Sequence, residues 1–405
     1  MGLRRSLWGG SSEVATVPLA FPLLALLPII SSFAISSWLV SQTVGYLFTG
    51  AVVVIVATYG LVHPGFRLQL NLGFLALFGG YWVGLIVHYY YTGHTEVLQY
   101  IVVTPATVVA TVLVMPVLIN GRRQTFTMGV TIIATGLTLI GLGMLWQDAQ
   151  TSTSLYAYVG GPVMGLDGIR TVSVFHNPNT YAFVMMVGSL AALYTTLARR
   201  GMVWIGALGI CLLGLFLSDG DASLVGFVAG AILVASGADR RLGFIGIAVA
   251  ILGTYVVIRL GHVTAVIETT LMVRVDSWVA TLERLTEDPL LGIGFADTAA
   301  ELGTMYGPHN SYLYPLLSTG LITGGLYLGA LVYALGQGIR TPWTAWNAFV
   351  VGLSVGVFCY MGFESLFLGG LSVSSIVLGL CIGLLLYSPA ADGPITDLRS
   401  KFIVR

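Results

Sequence analysis

Apolar runs recur along nearly the whole chain, and they leave few folds open. About 20 apolar residues are what an α-helix needs to cross a bilayer. The runs here are continuous rather than alternating, which excludes a barrel of the outer-membrane kind. Only helices and closed barrels satisfy their backbone polar groups in lipid, so the chain reads as an all-α polytopic membrane protein. Composition agrees. Of 405 residues, 56% are hydrophobic and 8% charged, with a mean hydropathy of +0.91, whereas a soluble domain carries roughly 25% charged residues. The formal charge is zero, so charge gives no reason to expect a nucleic-acid partner. Cys211, Cys359 and Cys381 sit inside apolar runs and read as small core residues, not as a disulfide framework or a metal site. Arg4 and Arg5 precede the first run as in a signal sequence. No small-residue cleavage site follows, so a retained first span is expected.

Twelve spans are expected, at about 15–36, 39–62, 68–91, 97–119, 124–146, 177–198, 202–218, 222–237, 242–260, 310–337, 344–361 and 366–387. They form one integral membrane domain over 1–405. With both termini cytoplasmic, 13 of the 17 basic residues fall inside, and only Arg170, Arg259, Arg274 and Arg284 fall outside. That bias orients the chain in the plasma (inner) membrane. Two outer segments are long, 147–176 and 261–309. In the second, Leu271, Val275, Trp278, Leu282 and Leu285 recur at helical spacing. Arg274, Ser277, Thr281, Arg284 and Asp288 form the adjacent polar face. The helix is expected to lie on the membrane surface, apolar stripe down, and to stop before Pro289. Gly292 and Gly294 then read as a flexible turn. His309 is expected at the mouth of the tenth span, where free N–H groups and the helix dipole favour an anion.

The stretch 274–325 resembles the signature region of the O-antigen ligase and O-antigen polymerase (Wzy-type) family. His309-Asn310 is followed by nine residues, Gly320, two residues and Thr323. Upstream stand Arg274 and Trp278, then Pro289, Gly292 and Gly294. Asn177-Pro178-Asn179 with Ala182 is a third point of likeness. The resemblance implies a GT-C-like helical fold. It also implies transfer of a glycan from a polyprenyl-diphosphate carrier to an acceptor hydroxyl on the outer face, with no metal, cofactor or nucleotide sugar. Its implied partners are the lipid-linked glycan, a glycan or lipid acceptor and membrane lipid.

Those parts suit the residues. The acceptor hydroxyl must lose a proton, and histidine is the natural base near neutral pH. The leaving diphosphate gains charge, which guanidinium groups stabilise. His309 is therefore assigned as base and Arg274 as the main diphosphate contact, with Arg284, Arg170, Asn310 and Asn179 as substrate-binding candidates and Arg259 behind them. Each has a structural alternative. Without the motif His309 reads as a helix-start residue, and Arg274 has the alternative of a snorkelling side chain. Arg284 is spaced to pair with Asp288, and Asn177 to cap the sixth span. His88, His94, His176 and His262 are unassigned, and Glu364 reads as solvated. The family places a Ser-Arg pair at the outer end of the seventh span. Here Ser218-Asp219-Gly220-Asp221 stands there, which reads as a turn or as an Asp-x-Asp metal site. A transporter or flippase of lipid-linked glycans is the competing function. It would be expected to place charges near the bilayer midplane, where this sequence has almost none.

Overall fold

The computed structural model describes residues 20–63, 66, 68–151, 157–159, 169–259, 271–295, 298–304, 307–387 and 402–404. His262 and the segment 260–270 lie outside the described residues, as do 1–19 with Arg4 and Arg5. The described helices are α1 (Ala20–Ser36), α2 (Gln42–Val62), α3 (Leu72–Thr92), α4 (Glu96–Ile119), α5 (Arg123–Thr151), α6 (Pro178–Arg199), α7 (Met202–Ser218), α8 (Asp221–Ala238), α9 (Arg240–Arg259), α10 (Met272–Glu287), α11 (Thr298–Leu302), α12 (Leu313–Arg340), α13 (Ala345–Met361) and α14 (Val373–Leu386). Seven of these are long and apolar enough to cross a membrane, and shorter apolar helices accompany them. The chain is thus an all-α protein of polytopic membrane type. Its described strands are four three-residue pieces in two short pairs.

The helices keep apolar residues on their outward faces as well as inside. Leu47, Ile55, Val228, Val249 and Leu252 are exposed, as expected where lipid is the solvent. Helices α6, α13 and α14 are buried along most of their length. Several hydroxyls inside the bundle fold back onto their own helices: Thr131 donates to the Thr127 carbonyl, Thr195 to Ala191 and Ser354 to Val350, each at 2.8 Å. That leaves no unmatched donor of theirs in the apolar interior.

One contact fixes the site's two walls relative to each other. Helices α8 and α13 pack glycine on glycine, with Gly226 against the Gly356 carbonyl and Gly230 against that of Gly352. A Cβ at any of the four would come within 2.5–2.8 Å of backbone oxygen. Small residues spaced by four let helix backbones approach this closely. The pair sets the start of α8, with Asp221, beside the end of α13, which leads to Glu364.

Helix α12 is broken at Gly320, which has φ 77° and ψ 173°. Segment 289–294 lies along the break. The N–H of Ile293 donates to the Leu317 carbonyl (2.8 Å), Gly294 to Ser318 (3.0 Å), and Leu321 back to Pro289 (2.8 Å). A side chain at Gly320 would fall onto the Leu290 carbonyl, and one at Gly292 onto that of Leu317. Gly292 and Gly294 have φ of 68° and 87°, a region that favours glycine. The expected flexible turn is therefore a hydrogen-bonded splice into α12. Thr323 packs at the same level against α3, where a Cβ on Gly84 would meet it at 2.5 Å.

Helix α10 also departs from expectation. Its inward face is Arg274, Ser277, Thr281 and Leu285, while Met272, Val279 and Leu282 are exposed. Ser277 and Thr281 pack on the protein together with Leu285, while Val279 and Leu282 are exposed beside Asp276 and Glu283.

Candidate active site

Glu364, in the loop after α13, is the hub of the site. Its Oε1 accepts from Arg274 Nη2 at 3.0 Å and from Asn179 Nδ2 at 2.9 Å. Its Oε2 faces His309 Nδ1 at 3.6 Å. The side chain is only 12% exposed, so the expectation of a solvated Glu364 is corrected. A carboxylate can be buried this far because cationic and amide partners replace the water it has lost.

The loop geometry that delivers His309 to Glu364 is backbone-built. His309 has φ 40°, outside the region most side chains prefer. The next two residues lock it to the loop after α13. The N–H of Ser311 donates to the Met361 carbonyl (2.8 Å), and its hydroxyl donates to that of Glu364 (2.5 Å). The Ser311 hydroxyl also accepts from Leu366 N–H at 2.9 Å. Asn310 donates from Nδ2 to the Gly362 carbonyl (3.0 Å), and its Oδ1 accepts from the N–H groups of Tyr312 (2.9 Å) and Leu313 (3.0 Å). Both ends of the Asn310 amide are thus spent inside the protein. The helix N–H groups expected to attract an anion are capped by Asn310 and by its carbonyl, which takes Tyr314 N–H.

Arg274 reaches Glu364 from α10, with its guanidinium carbon 5.9 Å from the Phe363 ring centre. Trp278, one turn on, meets the same ring at 6.2 Å. Asn179 comes from the first turn of α6, which Asn177 caps by accepting the Asn179 N–H at 2.8 Å.

A second ion pair faces the first. Arg170, on the short strand Ile169–Thr171, donates to Asp219 Oδ2 at 2.7 Å. Asp219 ends α7 in the left-handed region, φ 54°. Burial raises its carboxyl to about 6, with the Arg170 guanidinium opposing the rise and Asp221 adding to it. Between the pairs lies an open cavity lined by Arg170, Asn179, Asp219, Asp221, Arg274 and Glu364, with Tyr360 and the first turn of α8. His309 is not among its lining residues. It stands beyond Glu364, with its side chain 37% exposed.

The structure thus brings together His309, Arg274, Arg170 and Asn179, with Asp219 and Asp221, from well-separated stretches of chain. It leaves Arg284 apart: that guanidinium pairs with Glu287 at 2.5 Å and with Asp288 at 3.8 Å on its own helix. The side chain of Arg259 lies outside the described residues. Among the described residues, no three His, Cys, Asp or Glu side chains group as a metal-holding set, and Asp219 is engaged by Arg170.

The arginines of the loops 120–123, 199–201 and 338–344 belong to the opposite end of the bundle. There Arg123 lies over the Trp346 ring at 5.3 Å, and Tyr194 meets the same ring. Glu364, Tyr360 and Ser311 are the site residues that sequence reasoning misses. Only the His-Asn-Ser run gives a signal, and only for Ser311. Compared with protein-family models and with curated proteins, the chain matches none.

Proposed function

We propose that this chain transfers a glycan from a polyprenyl-diphosphate carrier to an acceptor hydroxyl at the outer face of the plasma membrane, as O-antigen ligases and polymerases do. The observation that carries the reading is the convergence of His309, Arg274 and Arg170 at one end of an apolar helix bundle, opposite the arginine-rich end. In this proposal the twelve apolar helices all span, both termini are cytoplasmic, and the cavity opens outward near the lipid headgroups.

The chemistry follows from charge. Two guanidinium groups and three carboxylates line the cavity, so it is not a ready-made anion site. A diphosphate enters by taking the place of carboxylates already held on Arg274 and Arg170. Phosphate oxygens offer each guanidinium the same two-point geometry with greater charge. The acceptor hydroxyl then attacks the anomeric carbon. Its proton passes to the His309 imidazole, the anomeric carbon–oxygen bond breaks, and the electron pair leaves on the polyprenyl diphosphate. Arg274 and Arg170 stabilise that departing charge. Asn310 positions His309 and does not touch substrate. Arg284 pairs on its own helix and is left out of the machinery.

Charged residues at the two ends and not at the midplane favour chemistry over passage of a charged headgroup through the bundle. The experiment is surface glycan display in cells that depend on this chain. His309→Ala is expected to abolish display while the variant still accumulates in the membrane. Undiminished display would remove His309 as the base.

A further inference from the structure

The cavity has a row of hydrogen-bond donors that the ion pairs do not use. It belongs to the first turn of α8, residues 221–223, which lines the cavity wall. The helix ladder begins only with Leu224, whose N–H donates to the Gly220 carbonyl at 2.9 Å. Gly220 stands at the N-cap and has no side chain to cap the N–H groups of Asp221, Ala222 and Ser223. The start of α12 differs, because Asn310 caps it. The Ser223 side chain is 0% exposed and lines the same cavity, and its hydroxyl meets no acceptor among the described residues. Thr131, Thr195 and Ser354 donate to the carbonyl one turn back on their own helices. Ser223 is denied that bond, since Asp219, one turn back, lies outside α8 in the left-handed region. Arg170 adds another donor: its Nη2 holds Asp219 at 2.7 Å, while its buried Nε has no partner among the described residues.

We infer that the first turn of α8, with the Ser223 hydroxyl and Arg170 Nε, is the subsite for one phosphate group of the donor diphosphate, the other group resting on Arg274. The inference rests on the proposed glycosyl transfer and deepens it by giving each phosphate its own partners. Free N–H groups at the start of an 18-residue helix carry the positive end of its dipole and suit a phosphate. Nothing has to be displaced from them when the anion arrives. Arg274 and Arg170, by contrast, each hold a carboxylate. Both guanidinium groups act on the Asp221 carboxylate, so the start of α8 lies within electrostatic range of both. Asp219 and Asp221 are the carboxylates that oppose an anion here. Asp219 is neutralised by Arg170. Asp221 is exposed, and two residues apart on a helix sets its side chain about 200° around the axis from that of Ser223. Its charge is therefore turned toward water and screened, while the buried donors lie on the other side.

The test titrates the full chain in nanodiscs with inorganic pyrophosphate, read by calorimetry. Wild type is expected to bind it. Ser223→Ala is expected to weaken that binding roughly 10- to 100-fold, the worth of a hydrogen bond to a charged group. KM for the lipid-linked donor should rise by a similar factor with little change in kcat. The unfolding temperature of Ser223→Ala should not fall, because alanine removes an unmatched donor and strands no partner. Ser223→Cys, close in size but a poor donor, should show the same loss of affinity. Unchanged pyrophosphate affinity in both variants overturns the subsite and leaves the transfer reading standing. So does a wild-type protein that turns over donor without binding pyrophosphate. A wild-type protein that neither binds pyrophosphate nor turns over donor overturns both.

Discussion

The stretch 274–323 contains two sets of residues that belong to one motif and do opposite work. His309 and Arg274 end on a buried carboxylate and present their chemistry beside a cavity. Gly292, Gly294, Gly320 and Thr323 end on backbone and on a neighbouring helix, splicing one segment into a broken span. The first set is defined by side-chain charge and the second by the absence or closeness of side chains. Substitutions should therefore separate activity from folding along that line.

The splice should be the more sensitive set. Gly320→Ala sets a Cβ onto the Leu290 carbonyl at a φ of 77°, with strain of order 1–3 kcal/mol before the clash is counted. The variant should fail to accumulate, read by membrane yield and thermal unfolding. Normal yield would mean that the splice is loose. Next, Arg274→Lys should leave yield unchanged and impair transfer, because a point charge cannot reproduce a two-point hold on phosphate. Wild-type rates in the Arg274→Lys variant would make this residue an anchor of α10 and nothing more. Asn310→Ala should cost about 1 kcal/mol of stability through its cap and also reduce kcat, since His309 follows the same loop. A change in stability alone would separate the cap from the site.

The mildest change concerns Asp219. Its carboxyl is raised to about 6, so it binds a proton more tightly folded than unfolded. The stability it contributes is fully present below the ordinary carboxylate range and is lost as pH rises through about 6. The gap in unfolding temperature between wild type and Asp219→Asn should therefore change between about pH 4.5 and 7, wild type gaining as pH falls. Parallel curves would show that Asp219 is not perturbed.

Much of this can be read from the chain. Continuous apolar runs specify the helices, because lipid leaves the backbone no other way to satisfy its polar groups. The arginine bias puts Arg170, Arg274 and His309 on one side, and the structure gathers them at one end. What stays hidden has a common cause. Glu364 is a single carboxylate in a short loop, and its partners Arg274 and Asn179 lie 90 and 185 residues away. No local pattern announces such contacts. On α10 the period gives the helix but not the face that packs: Ser277 and Thr281 turn toward the protein, and Val279 and Leu282 are exposed with Asp276 and Glu283. The glycine contact of α8 with α13 is legible only as spacing, Gly226 to Gly230 and Gly352 to Gly356, with nothing to say that the two faces meet.

Glycosyl transfer itself is put to the test by giving purified protein in nanodiscs a labelled oligosaccharide on polyprenyl diphosphate, with an acceptor glycan or glycolipid. Free polyprenyl diphosphate and label on a new hydroxyl are expected, both lost in His309→Ala, which still folds. A folded wild-type protein that leaves the labelled donor intact, or moves it unreacted across the bilayer, would contradict the transfer reading.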